Sequence, residues 1–319
     1  MNAPAPTVMQ RLEGAPVAYL EPTVRPTLAE AQAWCKALAG SHYENFHVAT
    51  YFLPKQLRPH FHALYAYCRV SDDLGDEVAD HATALRLLNT WGTMLDECYD
   101  APTQSRHPVY VALRQSIEHC DLPRQPFADL LQAFRDDQTK TRFADLAELE
   151  DYSRYSANPV GSLVLYTCGY ADPALHALSD STCTALQLAN FWQDVGEDLR
   201  ERDRVYLPAD RMARHGVTES DLLTGQENDA YRALLQELVR DTRAMLLHGA
   251  PLIDRVDREL AATLRLFTEG GLAILQAIEQ IDYNTLSRRP EVSKGAKLRL
   301  LVGAGLGKLG VHRGSKGLR

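Results

Sequence analysis

The six cysteines, at positions 35, 68, 98, 120, 168 and 183, never fall in a CxxC pair, which argues against a zinc site. Scattered among apolar residues, they suit a reducing cytoplasm. No apolar run reaches the roughly 18 residues that span a bilayer, and no charged-then-apolar leader opens the chain. No GxGxxG follows a strand pattern, so nothing marks a nicotinamide site. No internal repeat of roughly 20–50 residues is evident. No segment alternates apolar and polar residues with the Val/Ile enrichment of a strand. Positive charge is not in excess either. The chain has 34 Lys and Arg against 42 Asp and Glu, a net charge of −8, which disfavours non-specific binding of nucleic acid.

What remains is helical and globular, with 45% hydrophobic and 24% charged residues. Residues 1–26 hold five prolines and no helical period, and read as a flexible arm. Thr27 and Glu30 have capping-box spacing and open a helix that Gly40 closes. Pro54 is placed to begin a long helix through Leu57, Phe61, Leu64, Tyr65 and Cys68. Asp172-Pro173 opens another, and Ser181 reads as the cap of one more, running to about Arg202. No Gly/Ser-rich or Pro-rich linker interrupts 27–290, so the expectation is one all-α domain over 27–290, followed by a basic tail, 291–319.

Acids are stacked where like charges should repel. "SDDLGDE" (71–77) places Asp72 and Asp76 four residues apart, with Asp73, Glu77 and Asp80 beside them. Such i,i+4 pairs cost a few tenths of a kcal/mol each, about 0.2–0.5. "NFWQDVGED" (190–198) repeats the relation with Asp194 and Asp198, so both carboxylates leave one helix face. Either ladder alone is more often a solvated acidic face. Two of them, flanked by Leu74 and by Phe191, Trp192 and Val195, suit Mg²⁺, which takes one or two carboxylates and fills its shell with water and phosphate oxygens. Two such faces opposed would hold a diphosphate and draw it off as a leaving group. "FRDDQTK" (134–140) has an acid pair too, but Lys140 stands four residues after Asp136, and the segment reads as a salt-bridged helix face.

"CRVSDDLGDE" (68–77) and "NFWQDVGED" (190–198), about 120 residues apart, have "YSRYSANPVG" (152–161) between them and "RVYLP" (204–208) after them. In that order the segments resemble the squalene/phytoene synthase family, from about His42 to Lys297. The resemblance implies an isoprenoid-synthase-type helical bundle around a central apolar cavity, with aspartate-rich helices that bind magnesium diphosphate at its mouth. It implies metal ligation by Asp72, Asp76, Asp194 and Asp198 with Asn190. It also implies diphosphate contact from Arg69, and catalysis by Tyr155 and the four aspartates. Gln187 and Asn190 match polar residues that orient metal waters or departing diphosphate. Arg69 reads also as the salt-bridge partner of its neighbouring acids, and both readings can hold at once; Tyr155, taken alone, reads first as a core tyrosine with its hydroxyl satisfied.

The departures bear on the reaction. "HYENF" (42–46) keeps His42 and Phe46, but Glu44 stands where the family often has a cation, and Tyr43 and Asn45 replace serines. Asn158-Pro159 follows Tyr155 where an apolar helix with a glycine is usual. A family tyrosine aligns with Gly271. These variants resemble one branch, which converts presqualene diphosphate to hydroxysqualene in bacterial hopanoid formation. Glu44, Asn45 and Asn158 are then candidates to hold the quenching water. Glu44 reads equally as a partner of Lys55 or Arg58. Two other readings stand beside this one: a synthase joining two farnesyl or geranylgeranyl diphosphates, and a non-catalytic relative that binds a partner. Residues 284–319 carry nine Lys/Arg and one acid, Glu291. They read as a solvated tail or as a peripheral contact with an anionic membrane for an otherwise cytoplasmic protein.

Overall fold

Acidic and amide side chains set five of the helix starts. In the computed structural model, which describes residues 11–41, 53–225, 228–293, 295–296 and 299–300, Asp80, Asp145, Asp172, Asn228 and Asp257 each accept a backbone N–H from the first turn of the helix that follows. That is the N-cap role, in which a carboxylate also meets the positive end of the helix dipole. Asp80, the outlying acid of the first cluster, is thus a cap. The expected Thr27–Glu30 capping box is present, with Thr27 N–H donating to Glu30 Oε2 at 2.8 Å and Glu30 N–H to Thr27 Oγ1 at 3.3 Å. Among the described residues there is no strand, only an isolated parallel bridge between Arg142 and Val205. None of the six cysteines is in a disulfide.

The chain falls into two compact units, Met1–Lys140 with Ser162–Ala171, and Thr141–Gly161 with Asp172–Arg319. In the first, α1 (Leu28–Ser41), α3 (His81–Asp100), α4 (Pro108–Cys120) and α5 (Gln125–Asp136) pack around α2 (Arg58–Asp76). α2 begins at Arg58 with Pro59 in its first turn, four residues later than Pro54 suggested. Its core is aromatic and internally bonded. Tyr67 packs edge-on against Phe127 at 5.0 Å, and its hydroxyl donates to Phe127 O. Trp91 Nε1 donates to Ser71 Oγ at 3.0 Å, and Tyr110 donates to Trp91 O at 2.6 Å. These bonds pair polar atoms that burial would otherwise strand, and they hold α2 firm one residue before Asp72.

Residues 11–25, expected as a loose arm, are tied to the first unit. Arg11 pairs with Glu97 at 2.6 Å, Arg25 donates to Thr103 O and Arg106 to Thr23 O. Leu12 and Tyr19 are buried. Five prolines hid this, because the segment holds on by side chains and one 3₁₀ turn, Val17–Tyr19, and not by a helical face. Lys140 lies beyond the helix on which it was expected. α5 ends at Asp136, whose side chain accepts from Gln132, while Lys140 lies in the following turn with its N–H on Asp136 O.

In the second unit, α8 (Pro173–Arg202) is one 30-residue helix. Ser181, expected as a cap, lies inside it and donates to Ala177 O. α6 (Leu146–Ser156), α10 (Glu219–Thr224), α11 (Asp229–Gly249) and α12 (Arg258–Gln280) pack on α8, and α9 (Ala209–His215) packs on α11. α7 (Asn158–Thr167) starts in this unit and continues into the first. Trp192 is fully buried, with its indole N–H on Thr242 Oγ1 at 2.7 Å. Gly271 on α12 meets Leu186 and Leu246 so closely that an added Cβ would overlap them, so leucines fill the space beside the position where a family tyrosine aligned.

Candidate active site

The first acid ladder is held by an arginine on its own helix. Arg69 pairs with Asp73, lies 3.6 Å from Asp72 Oδ2 and reaches Glu77 Oε1 at 3.2 Å. One guanidinium therefore serves three carboxylates, which answers much of the repulsion the sequence raised. The acids differ sharply in exposure. The side chain of Asp73 is 2% exposed and that of Asp72 44%, and Asp76 is exposed at the last turn. Asp73 faces inward, where the hydroxyl of Tyr19 donates to its other oxygen. Gly75 runs close to Gln138, whose amide donates to Gly75 O at 3.2 Å while its oxygen contacts His81.

On α8 of the second unit, Gln187, Asn190, Asp194 and Asp198 follow one another at helical spacing along one face. Asn190 is exposed, while Gln187, Asp194 and Asp198 are half-buried. Burial, and then the charge of Asp194, push the Asp198 carboxyl up to about 7, against the opposing pull of Arg202 and Arg204. Arg289 forks onto Asp194, Nε to Oδ1 at 2.5 Å and a terminal nitrogen to Oδ2 at 3.0 Å, and lies 3.5 Å from Glu197. The segment carrying Arg289 is strapped along the same helix. Gly196 N–H donates to Thr285 O, Arg200 to Leu286 O and Gln193 to Pro290 O. An added Cβ at Gly196 would strike the Leu286 carbonyl. The glycine in "DVGED" is thus where the C-terminal strap touches the acid ladder.

"RVYLP" supports this ladder from its far end. Asp203 ends α8 in the left-handed region (φ 49°), and Arg204 N–H returns to Asp198 O. Tyr206 then stacks on Phe191 with ring centroids 3.7 Å apart, beside Phe143 and Tyr152.

Tyr155, near the end of α6, is half-buried. Its hydroxyl accepts from Arg154 at 2.9 Å, and the Arg154 guanidinium lies 4.9 Å from its ring centroid. Neither reading of Tyr155 in the sequence, catalytic phenol or core tyrosine, included this cation. Asn158 opens α7 with Pro159 in the first turn, which breaks α6 from α7. Asn158 is buried, and its Oδ1 accepts from Thr184 at 2.9 Å. His42, Glu44 and Asn45 lie outside the described residues, as does most of the basic tail. Sequence reasoning missed Tyr19 and Arg289, since neither belongs to a motif and both act across long stretches of chain.

Among the described residues no three His, Cys, Asp or Glu side chains converge into a closed metal cage. What the chain offers is two separate carboxylate ladders, one in each unit, each held by an arginine. Open sets of one or two carboxylates with a nearby guanidinium suit a hydrated hard cation that arrives with phosphate oxygens.

The squalene/phytoene synthase family model matches residues 39–296. A crystal structure of squalene synthase HpnC from Alicyclobacillus acidocaldarius is 38% identical, with a TM-score of 0.77 over 86% of this chain and 99% of that one. Phytoene synthase 2 of Solanum lycopersicum is 30% identical over 86% of this chain and 89% of its own length. A dehydrosqualene synthase crystal structure, 24% identical with a TM-score of 0.78 over 87% of this chain and 96% of that one, shares the fold.

Proposed function

The chain belongs to the squalene/phytoene synthase family, prenyltransferase-type enzymes that act on prenyl diphosphates, and we propose that within it the chain converts presqualene diphosphate to hydroxysqualene with Mg²⁺. The observation that carries this reading is the contrast in similarity. Identity is 38% with a bacterial squalene synthase across nearly its whole length, against 30% with the tomato phytoene synthase. The dehydrosqualene synthase, at 24%, is less similar than either, so the reading rests on the likeness to HpnC itself. "HYENF" and the buried Asn158 favour quenching by water.

The residues then take these roles. Arg69 grips diphosphate oxygens as the C–O bond of presqualene diphosphate breaks and the electron pair leaves with the phosphate. Asp72 and Asp76, and Asp194 and Asp198 with Asn190, are the groups that would hold magnesium. The Asp198 carboxyl, raised by burial and by Asp194, is a place where a divalent cation can take over from a proton. Bound magnesium would supply charge neutralisation for the departing diphosphate. The cyclopropylcarbinyl cation opens and rearranges, and Tyr155 faces it with its ring. A water oxygen then bonds to the cation and gives up a proton to the released diphosphate. Asn158, with its carbonyl oxygen occupied by Thr184, presents its amide as the polar group beside that step.

The test is to incubate the purified chain with Mg²⁺ and presqualene, farnesyl or geranylgeranyl diphosphate in turn, in H₂¹⁸O, each with and without NADPH. Labelled hydroxysqualene from presqualene diphosphate is expected, and Asp76→Asn should cut its formation by orders of magnitude, about 100-fold or more. Squalene formed only with NADPH, or phytoene from geranylgeranyl diphosphate, would replace this reading with another reaction of the family. Full activity in chelator would remove magnesium from it.

A further inference from the structure

We infer that Tyr19 is a positioning residue for diphosphate recognition, acting through Asp73 on Arg69. The inference rests on the reading of Arg69 as a diphosphate-gripping group. Tyr19 is 6% exposed, and its hydroxyl donates to Asp73 Oδ2. The second oxygen of Asp73 pairs with Arg69. Both oxygens of this carboxylate are therefore turned inward. Enclosed in this way, Asp73 is a fixed anchor for the guanidinium, whereas Asp72 and Asp76 are the acids on the open side of the same helix.

The frame that aims the hydroxyl is rigid. The Tyr19 ring packs edge-on against Trp34, with centroids 6.3 Å apart, and Trp34 packs edge-on against His107. The Tyr19 carbonyl accepts from His107 Nε2 at 3.1 Å, and His107 Nδ1 accepts the Val109 N–H at 3.3 Å at the start of α4. These two bonds select the Nε2–H tautomer, and burial keeps the imidazole neutral, with its pKa lowered to about 3. Burial, and then Asp73, raise the Tyr19 phenol above its ordinary value, so it stays a donor. A hydroxyl held at both the ring and the backbone restricts the carboxylate, and the carboxylate restricts a long, rotamer-rich arginine before any ligand arrives. That lowers the ordering cost of gripping diphosphate. Tyr19 precedes residue 39, where the match to the family model begins.

The experiment is a calorimetric titration of the full chain with inorganic pyrophosphate at saturating Mg²⁺. It compares wild type, Tyr19→Phe, Arg69→Ala, the double variant and Arg25→Ala. Tyr19→Phe keeps the ring packing and removes only the hydroxyl. Its affinity should fall about three- to ten-fold, and the same change in the Arg69→Ala background should cost nothing further, since coupled residues are non-additive. Arg25→Ala loosens the same segment at Thr103 without touching Asp73, and should bind pyrophosphate as wild type does. Should Tyr19→Phe not fold, Asp73→Asn replaces it and should lower the affinity in the same Arg69-dependent way. Unchanged affinity in Tyr19→Phe, an additive loss in the double variant, or an equal loss in Arg25→Ala would overturn the inference alone. A wild-type chain that does not bind magnesium pyrophosphate would instead remove the reading of Arg69, and this inference with it.

Discussion

At the scale of single residues, the acids sort into three uses. Asp80, Asp145, Asp172 and Asp257 cap helices, Asp73 is buried as an anchor, and Asp72, Asp76, Asp194 and Asp198 form the ladders. The ladders were legible in the sequence because i,i+4 spacing alone places two side chains on one face. Tyr19 and Arg289 were not legible, because their partners lie 54 and 95 residues away and no local pattern encodes such a pairing. Glu21 shows a further cost of anchoring the N-terminal segment. It is 6% exposed, and burial pushes its carboxyl up to about 7, with Arg11 and Arg106 opposing and Glu97 reinforcing the shift. The folded pKa is above the ordinary value, 4.5, so between these two values the native state holds a proton the unfolded chain has lost. The stability this group supplies is complete below about 4.5 and is lost as pH rises through about 7. Glu21→Gln cannot titrate and should remove that part of the slope. Urea midpoints taken at intervals across this range would show it as a gap between wild type and variant that widens with pH. Parallel profiles would mean that Glu21 is ionised in both states.

At the scale of elements, the all-helical class could be read from the apolar period, but where helices begin and end could not. Ser181 resembles an N-cap in sequence, yet a serine can bond back to the carbonyl four residues before it and stay within a helix, as it does at Ala177. Pro54 and Pro59 are equivalent as starting signals, but Pro54 opens only a turn, in which Leu57 N–H donates to Pro54 O at 3.0 Å, and Pro59 lies in the first turn of α2. "ANPVG" did mark a true break, because Pro159 cannot donate to the ladder and fits the first turn of α7. Gly196 ties two elements together. Its missing Cβ lets the Leu286 carbonyl approach α8, and its N–H bonds Thr285 O at 3.2 Å. Gly196→Ala should push the strap away, at a cost of about 1–3 kcal/mol from overpacking against backbone. Arg289 travels with that strap, so turnover should fall as well. Denaturant melts together with amide exchange at Thr285–Ser287 would test this. Unchanged exchange would show that the strap absorbs the methyl and that Gly196 serves some other need.

At the scale of the whole molecule, the question is how a chain of net charge −8 meets a lipid substrate. None of the described helices is long and apolar enough to cross a membrane. Taken as a point charge, the protein would be repelled by an anionic bilayer. Screening changes this, because at physiological ionic strength charges interact over only about 8 Å, so a surface feels the nearest segment and not the total. Residues 284–319 hold nine Lys/Arg and one acid, each cation being worth about 1 kcal/mol close to an anionic headgroup layer. Arg289 is already engaged with Asp194, so the residues left to act on a membrane are chiefly those beyond Glu291. We therefore expect the full chain to sediment with phosphatidylserine-containing vesicles at low salt, to be released as salt rises, and to ignore neutral phosphatidylcholine vesicles. A chain ending at Glu291 keeps Arg289 on Asp194, and should lose vesicle binding while retaining its helical content and its turnover of detergent-dispersed substrate. Salt-independent binding, or equal binding by both chains, would instead point to an apolar contact elsewhere, such as the exposed Val17 and Val24 of the N-terminal segment. If neither chain bound, the basic segment would be a solvated tail.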